Sequence, residues 1–142
     1  MKLIAIRIDN YINFEKYLHY LDKTSVVKIM SFHQRRDKII AFTSEILKKY
    51  YLAKVLAIEP TDIKIGFNAY GKPILLNTKY KIDFNISHSG DYVIMAIVYN
   101  AGIGIDIEQI NHAIKPQELG KYVFSTKELA LVSDDIGSFY LM

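Results

Sequence analysis

Cysteine and tryptophan are absent from this 142-residue chain, proline occurs three times, and the formal net charge is only +3. Without cysteine there is no disulfide and no thiolate-held zinc or iron–sulfur site. The longest apolar runs, such as Val93 to Tyr99, fall far short of the roughly 20 residues that a membrane-spanning helix needs. The opening MKLIAIRIDN has no extended apolar region or small-residue cleavage site, and Asp9 follows at once. No signal peptide and no membrane association are therefore expected, and a cytoplasmic setting is the default. So small a positive charge does not call for nucleic acid, although it would not oppose a polyanionic small ligand or an acidic partner protein.

What the chain does have is apolar mass, with 51% hydrophobic residues. At this length a folded chain buries roughly 68% of the surface its unfolded form exposes, enough for a core without staples. Ile4, Ile6 and Ile8 alternate as in a strand. Phe14, Tyr17, Leu18 and Leu21 recur at helical spacing, and a short helix is expected over Ser25 to Phe32. The clearest helix lies between Arg36 and Ala57, with an apolar stripe of Ile39, Phe42, Ile46, Leu47, Tyr50, Ala53 and Ala57 that Pro60 stops.

Beyond Pro60 the period falls to two at Ile63, Ile65 and Phe67, followed by turn chemistry over Asn68 to Pro73. Phe84 to Ser89, Tyr92 to Tyr99 and Ile103 to Ile110 read as three strands joined as antiparallel hairpins. A helix follows Pro116 through Val123. Ser125 with Glu128 forms a capping box that starts another, and Phe139 to Met142 looks like the opening of a further one.

Three constellations carry possible chemistry. In Gly102-Ile103-Gly104-Ile105-Asp106-Ile107-Glu108, a strand would turn the isoleucines to one face and the glycines, Asp106 and Glu108 to the other. Two carboxylates beside open space suit a hard cation such as Mg²⁺. They equally suit an acidic, solvated strand face. The Gly-x-Gly is no dinucleotide fingerprint, because Ile107 stands where the third glycine would be. Asn85-Ile86-Ser87-His88-Ser89 offers hydroxyl and imidazole donors to phosphate oxygens, though a histidine at a strand end is commonly structural. A serine hydrolase is set aside, since no Gly-x-Ser-x-Gly elbow is present. Lys28, Arg35, Arg36, Lys38 and Lys72 could pair with phosphates or simply solvate helix ends and a turn.

Taken in order, Tyr70-Gly71-Lys72-Pro73, Phe84-Asn85-Ile86-Ser87-His88-Ser89-Gly90, Gly102 to Glu108, and Phe124-Ser125 with Glu128 resemble the 4′-phosphopantetheinyl transferases of the surfactin-synthetase-activating type. The resemblance implies an α+β fold: one complete half, residues 1–101, with an antiparallel sheet packed on a long helix, and the beginning of a second half, 102–142. It implies transfer of the phosphopantetheine arm of coenzyme A to a serine of an acyl or peptidyl carrier protein, leaving adenosine 3′,5′-bisphosphate. Asp106 and Glu108 would hold Mg²⁺ and, with His88, carry catalysis. Ser87 and His88 would contact the phosphorylated adenosine, Tyr70, Gly71, Lys72 and Pro73 the adenine side, and Lys28 the 3′-phosphate.

Two departures qualify that expectation. Ile40 stands where the family commonly has a ligand-binding Arg, and the family's Trp-x-x-Lys-Glu motif does not occur before Met142. Its Glu is the general base there, and losing a positioned base costs about 10² to 10⁴ in rate. Low or no activity is therefore expected of this chain alone. The alternatives are a coenzyme A- or nucleotide-binding module without turnover, and an interaction module that a second copy or another chain completes over Leu129, Leu131, Phe139 and Tyr140. A nucleic-acid role resting on Arg35, Arg36, Lys48 and Lys49 has no motif behind it.

Overall fold

The computed structural model describes residues 1–76, 79–113 and 115–130. They fall into two compact units divided after Ile107. Leu131, Phe139 and Tyr140, and the helix expected over the last four residues, lie outside the described residues.

The first unit is α+β. Strand β1 (Lys2–Arg7) precedes a 3₁₀ helix (Phe14–Tyr20) and α1 (Lys23–Ser31). Helix α2 (Arg35–Ile46) runs through a π-helical segment (Leu47–Tyr51) into α3 (Leu52–Leu56). Strands β2 (Ile65–Phe67) and β3 (Pro73–Leu75) pair with each other, and β4 (Ile82–Ser89) and β5 (Tyr92–Tyr99) form a hairpin. The main sheet has the order β1-β5-β4 and is antiparallel throughout, with Ile4 opposite Met95 and Phe84 opposite Ile97.

Its core is built from the periodicities in the sequence. Phe84, Val93, Met95 and Ile97 of the sheet and Ile39, Phe42, Leu47 and Leu52 of the long helix are buried together with Phe14 and Ile29. Complete burial of one such side chain stabilises by about 1.5–3 kcal/mol. Arg36 at the start of α2 donates to the Gly90 carbonyl at 2.5 Å and to the Asp91 carboxylate at 2.7 Å, tying the helix to the β4–β5 turn.

Three expectations are corrected. The segment in which Phe14, Tyr17, Leu18 and Leu21 recur at helical spacing is a 3₁₀ helix rather than an α-helix. The long helix is not of one period: its π turn advances the buried face, so Leu52, Ala53 and Leu56 are buried and Lys48 is drawn inward, while Tyr50 is only half-buried. It ends at Leu56 because Ala57 adopts a left-handed conformation (φ 54°) and the Ile58 amide returns to the Ala53 carbonyl at 3.1 Å, before Pro60 is reached. Third, residues 103–110 are not a strand, because no backbone ladder forms there.

In the second unit α4 (Pro116–Val123) begins with Pro116 in its first turn, and α5 (Thr126–Leu129) starts on the expected capping box of Ser125 and Glu128.

Candidate functional site

The residues singled out in sequence gather around β4, on its two faces. Phe84, Ile86 and His88 share one face and Asp83, Asn85 and Ser87 the other, by the two-residue period of a strand.

On the first face His88 lines a cleft of about 230 Å³ with Lys28 of α1, Pro73 at the start of β3, and Asp37, Ile40 and Lys48 of the long helix region. Lys28, Pro73 and His88 are 15 to 60 residues apart in sequence, and antiparallel packing brings them to one hollow. The Lys28 ammonium is 3.3 Å from the Glu45 carboxylate. Ile40 also lines this cleft.

On the second face the chain from Ile103 to Asp106 runs in the same direction as β4 and is held by side chains. The Asp83 carboxylate accepts from the Ile103 amide at 2.8 Å, the Asn85 amide oxygen accepts from the Ile105 amide at 3.2 Å, and the Ser87 hydroxyl donates to Asp106 at 2.6 Å. Gly104 and Asp106 are exposed, and Ile103, Ile105 and Ile107 half-buried, so the alternation expected of a strand survives without its ladder. Asp83 and Asn85 thus accept from two amides of this segment, where a ladder would supply backbone carbonyls.

Lys72 completes the arrangement. Its ammonium donates to Asp83 at 2.5 Å and to the Ile103 carbonyl at 2.7 Å. Burial works against a charged Asp83, but the Lys72 ammonium and the Ile103 amide outweigh it and hold the carboxyl below its ordinary value. The hydroxyl of Ser87, with the Ile107 amide, likewise holds Asp106 low and ionised. The turn before Lys72 is shaped by the Asn68 side chain, which accepts from the amides of Tyr70 at 2.9 Å and Lys72 at 3.0 Å, and by Gly71 at φ 78°, a conformation natural to glycine. Tyr70 is fully exposed at its tip.

The candidate residues thus divide. Lys28, Pro73 and His88 meet in one cleft, whereas Ser87 lies on the opposite face of β4 with Asp106, and the Lys72 ammonium is spent on Asp83 and the Ile103 carbonyl. Glu108 is an exposed residue at the start of the second unit. Among the described residues no three His, Asp or Glu side chains converge as a metal cluster. Arg35 is engaged by Glu15 at 2.6 Å, and Arg36 by the β4–β5 turn.

The family description "4′-phosphopantetheinyl transferase, N-terminal" matches residues 10–100. The chain belongs to the 4′-phosphopantetheinyl transferase family. It is 32% identical over 114 residues to 4′-phosphopantetheinyl transferase gsp of Aneurinibacillus migulanus, an alignment covering 78% of this chain and 46% of the relative. It is 29% identical over 133 residues to 4′-phosphopantetheinyl transferase Sfp of Bacillus subtilis, covering 90% of this chain and 57% of that one. A Candida glabrata L-aminoadipate-semialdehyde dehydrogenase-phosphopantetheinyl transferase is 28% identical over 130 residues, covering 89% and 49%. The chain spans about half the length of the curated relatives it matches.

In this phosphopantetheinyl transferase chain, sequence reasoning missed Asp83 and Lys48. Asp83 had a signal: with Asn85 and Ser87 it makes three polar positions at period two, alternating with Ile82, Phe84 and Ile86. Lys48 had none, since a period of 3.6 does not register a π turn.

Proposed function

We propose that the complete protein to which these residues belong transfers the 4′-phosphopantetheine arm of coenzyme A to a serine of a carrier protein, with Mg²⁺. Residues 1–101 serve as the first half of the transferase and 102–142 open the second. One observation carries the reading: Lys28, Pro73 and His88, drawn from three separate segments, line a single cleft, as a coenzyme A nucleotide site would require. In it Lys28 approaches the 3′-phosphate and His88 the phosphorylated adenosine, while Gly71 and Pro73 border the adenine and exposed Tyr70 lies near it. Lys72 serves mainly by holding Asp83 and the Ile103 carbonyl.

The donor set fits a hard cation. Asp106 is exposed and ionised, and carboxylate oxygens are what Mg²⁺ prefers. Asp106 and Glu108 would hold the ion, which when bound neutralises charge on the coenzyme A diphosphate. Ser87 fixes the direction of the Asp106 carboxylate through its hydroxyl. Among the described residues no helix is long and apolar enough to cross a membrane, which is compatible with a cytoplasmic site of action.

A second reading shares that observation. The Lys28, Pro73 and His88 cleft would serve equally a module that holds coenzyme A without turnover or that acts with a complementing chain. Calorimetry with coenzyme A, with and without Mg²⁺, tests both readings. Metal-dependent binding that weakens in His88→Ala supports the site, and absence of binding overturns it. Mass spectrometry of an apo carrier protein incubated with the chain, coenzyme A and Mg²⁺ separates turnover from binding alone.

A further inference from the structure

Lys48 is the one buried charged residue among those described, with its side chain only 9% exposed. It is buried because it stands in the π turn, a distortion of helices found frequently at functional sites. Its ammonium is 2.6 Å from Glu45 Oε1, and the Lys28 ammonium is 3.3 Å from that same oxygen. Two cations therefore share one carboxylate, whose second oxygen is 3.4 Å from the Ser25 hydroxyl. One positive charge is left uncompensated, partly out of water, where an unpaired charge is costly.

This bridge is a wall common to two clefts. One is the His88 cleft, where Asp37 offsets the surplus. The other is larger, about 420 Å³, and there Lys49 and Lys64 add to it. The acids facing the larger cleft are Glu45 and Asp22. Asp22 is already satisfied by the amide of Ser25 at 2.9 Å and its hydroxyl at 3.1 Å. Neither Lys49 nor Lys64 forms an ion pair with any described residue. Four lysines thus face two acids. The cleft's lining also includes hydrocarbon from Ile65 and from Phe67, a residue 65% exposed.

We propose that the larger cleft is an anion site that takes a phosphate monoester on a flat apolar body, with Lys48 as its buried anchor. A monoester dianion matches a surplus of two positive charges, and its oxygens accept from several ammonium groups at once, whereas a carboxylate would neutralise half of it. Phe67 and Ile65 receive the apolar part. Lys28, Glu45 and Lys48 wall both clefts, whereas Lys49, Lys64, Ile65 and Phe67 belong to the larger one alone, so it is at those four residues that the assignment is tested apart from the coenzyme A reading.

The test is an amide-resolved NMR titration of the full chain with phenyl phosphate. Saturable shifts are expected at Lys49, Lys64, Ile65 and Phe67, with inorganic phosphate binding more weakly by about threefold or more. Lys48→Met should weaken phenyl phosphate binding by about tenfold and Lys64→Met by about threefold, the loss of a charge-assisted contact in a buried and an exposed setting. Lys48→Met leaves Glu45 still paired with Lys28, and Lys64 is exposed, so at least the second variant retains the fold. Shifts confined to Ile86 and His88, equal affinity for inorganic phosphate, or unchanged affinity in Lys64→Met would each overturn the assignment.

Discussion

Strand β4 holds its two neighbours by opposite means. Toward β5 it forms a backbone ladder of eight residue pairs, from Ile82 opposite Tyr99 to Ser89 opposite Tyr92. Toward residues 103–106 it presents Asp83 and Asn85, whose side chains accept from amides as carbonyls do in the ladder, and Ser87, whose hydroxyl donates to Asp106. A ladder is indifferent to most side-chain changes because every residue brings the same amide. A side-chain clip depends on three particular residues, one of which titrates. The difference teaches that the segment bearing Asp106 is held in place by chemistry that can be removed piece by piece, while the strand that holds it cannot.

Substitutions on the two faces of β4 should break this contrast to different degrees. The largest effect belongs to the ladder's core face. Phe84→Ala empties a completely buried site and should cost about 3–5 kcal/mol, read as a lower midpoint in urea unfolding. A loss below 1 kcal/mol would mean that β4 is not seated on the helix.

Asp83→Ala comes next. It strips the acceptor from both Lys72 and the Ile103 amide and should cost about 1–3 kcal/mol. Hydrogen exchange should quicken at Ile103 and stay slow at Ile97. Equal acceleration at both would show that the ladder and the side-chain clip are one cooperative unit.

Acid sharpens the same point without mutation. Asp83 has a folded-state pKa below its unfolded value of about 3.9, so its stabilisation is complete above that value and is lost as pH falls through the folded one. The Ile103 amide should therefore lose protection in acid before the amides paired across β4 and β5. Simultaneous loss would count against a carboxylate-held clip.

Asn85→Ala removes one neutral acceptor at 3.2 Å and should cost about 0.5–1.5 kcal/mol, with the change in exchange centred on Ile105. The smallest stability effect is expected of Ser87→Ala, which leaves the unfolding midpoint where it is because its bond to Asp106 is solvent-facing. Under the proposed function the same variant should weaken coenzyme A binding only when Mg²⁺ is present. Calorimetry showing the same loss without the ion would remove Ser87 from any role in orienting Asp106.

Much of this architecture was legible because burial imposes a period. Ile4, Ile6 and Ile8, the stripe from Ile39 to Leu47, and the β4–β5 hairpin with Gly90-Asp91 at its turn all follow from side chains that must face one core. The capping box at Ser125 and Glu128 is local chemistry and needs no tertiary context. Residues 103–110 misled because alternation reports exposure on two faces and says nothing about whether amides find carbonyls or side chains. The same limit hid the division of Ser87 from His88: neighbours in a motif point oppositely once the motif is a strand.

The sequence by itself determined the family, the antiparallel hairpin and the residue types available for phosphate and cation chemistry, because motif order and hydrophobic period are properties of the chain. Only the tertiary structure decided that Lys28, Pro73 and His88 share a hollow, that Lys72 turns inward to Asp83, and that Lys48 lies buried against Glu45. Those outcomes depend on distances between segments far apart in sequence and on one π turn. Neither leaves a periodic trace, because both are settled by how packed elements meet.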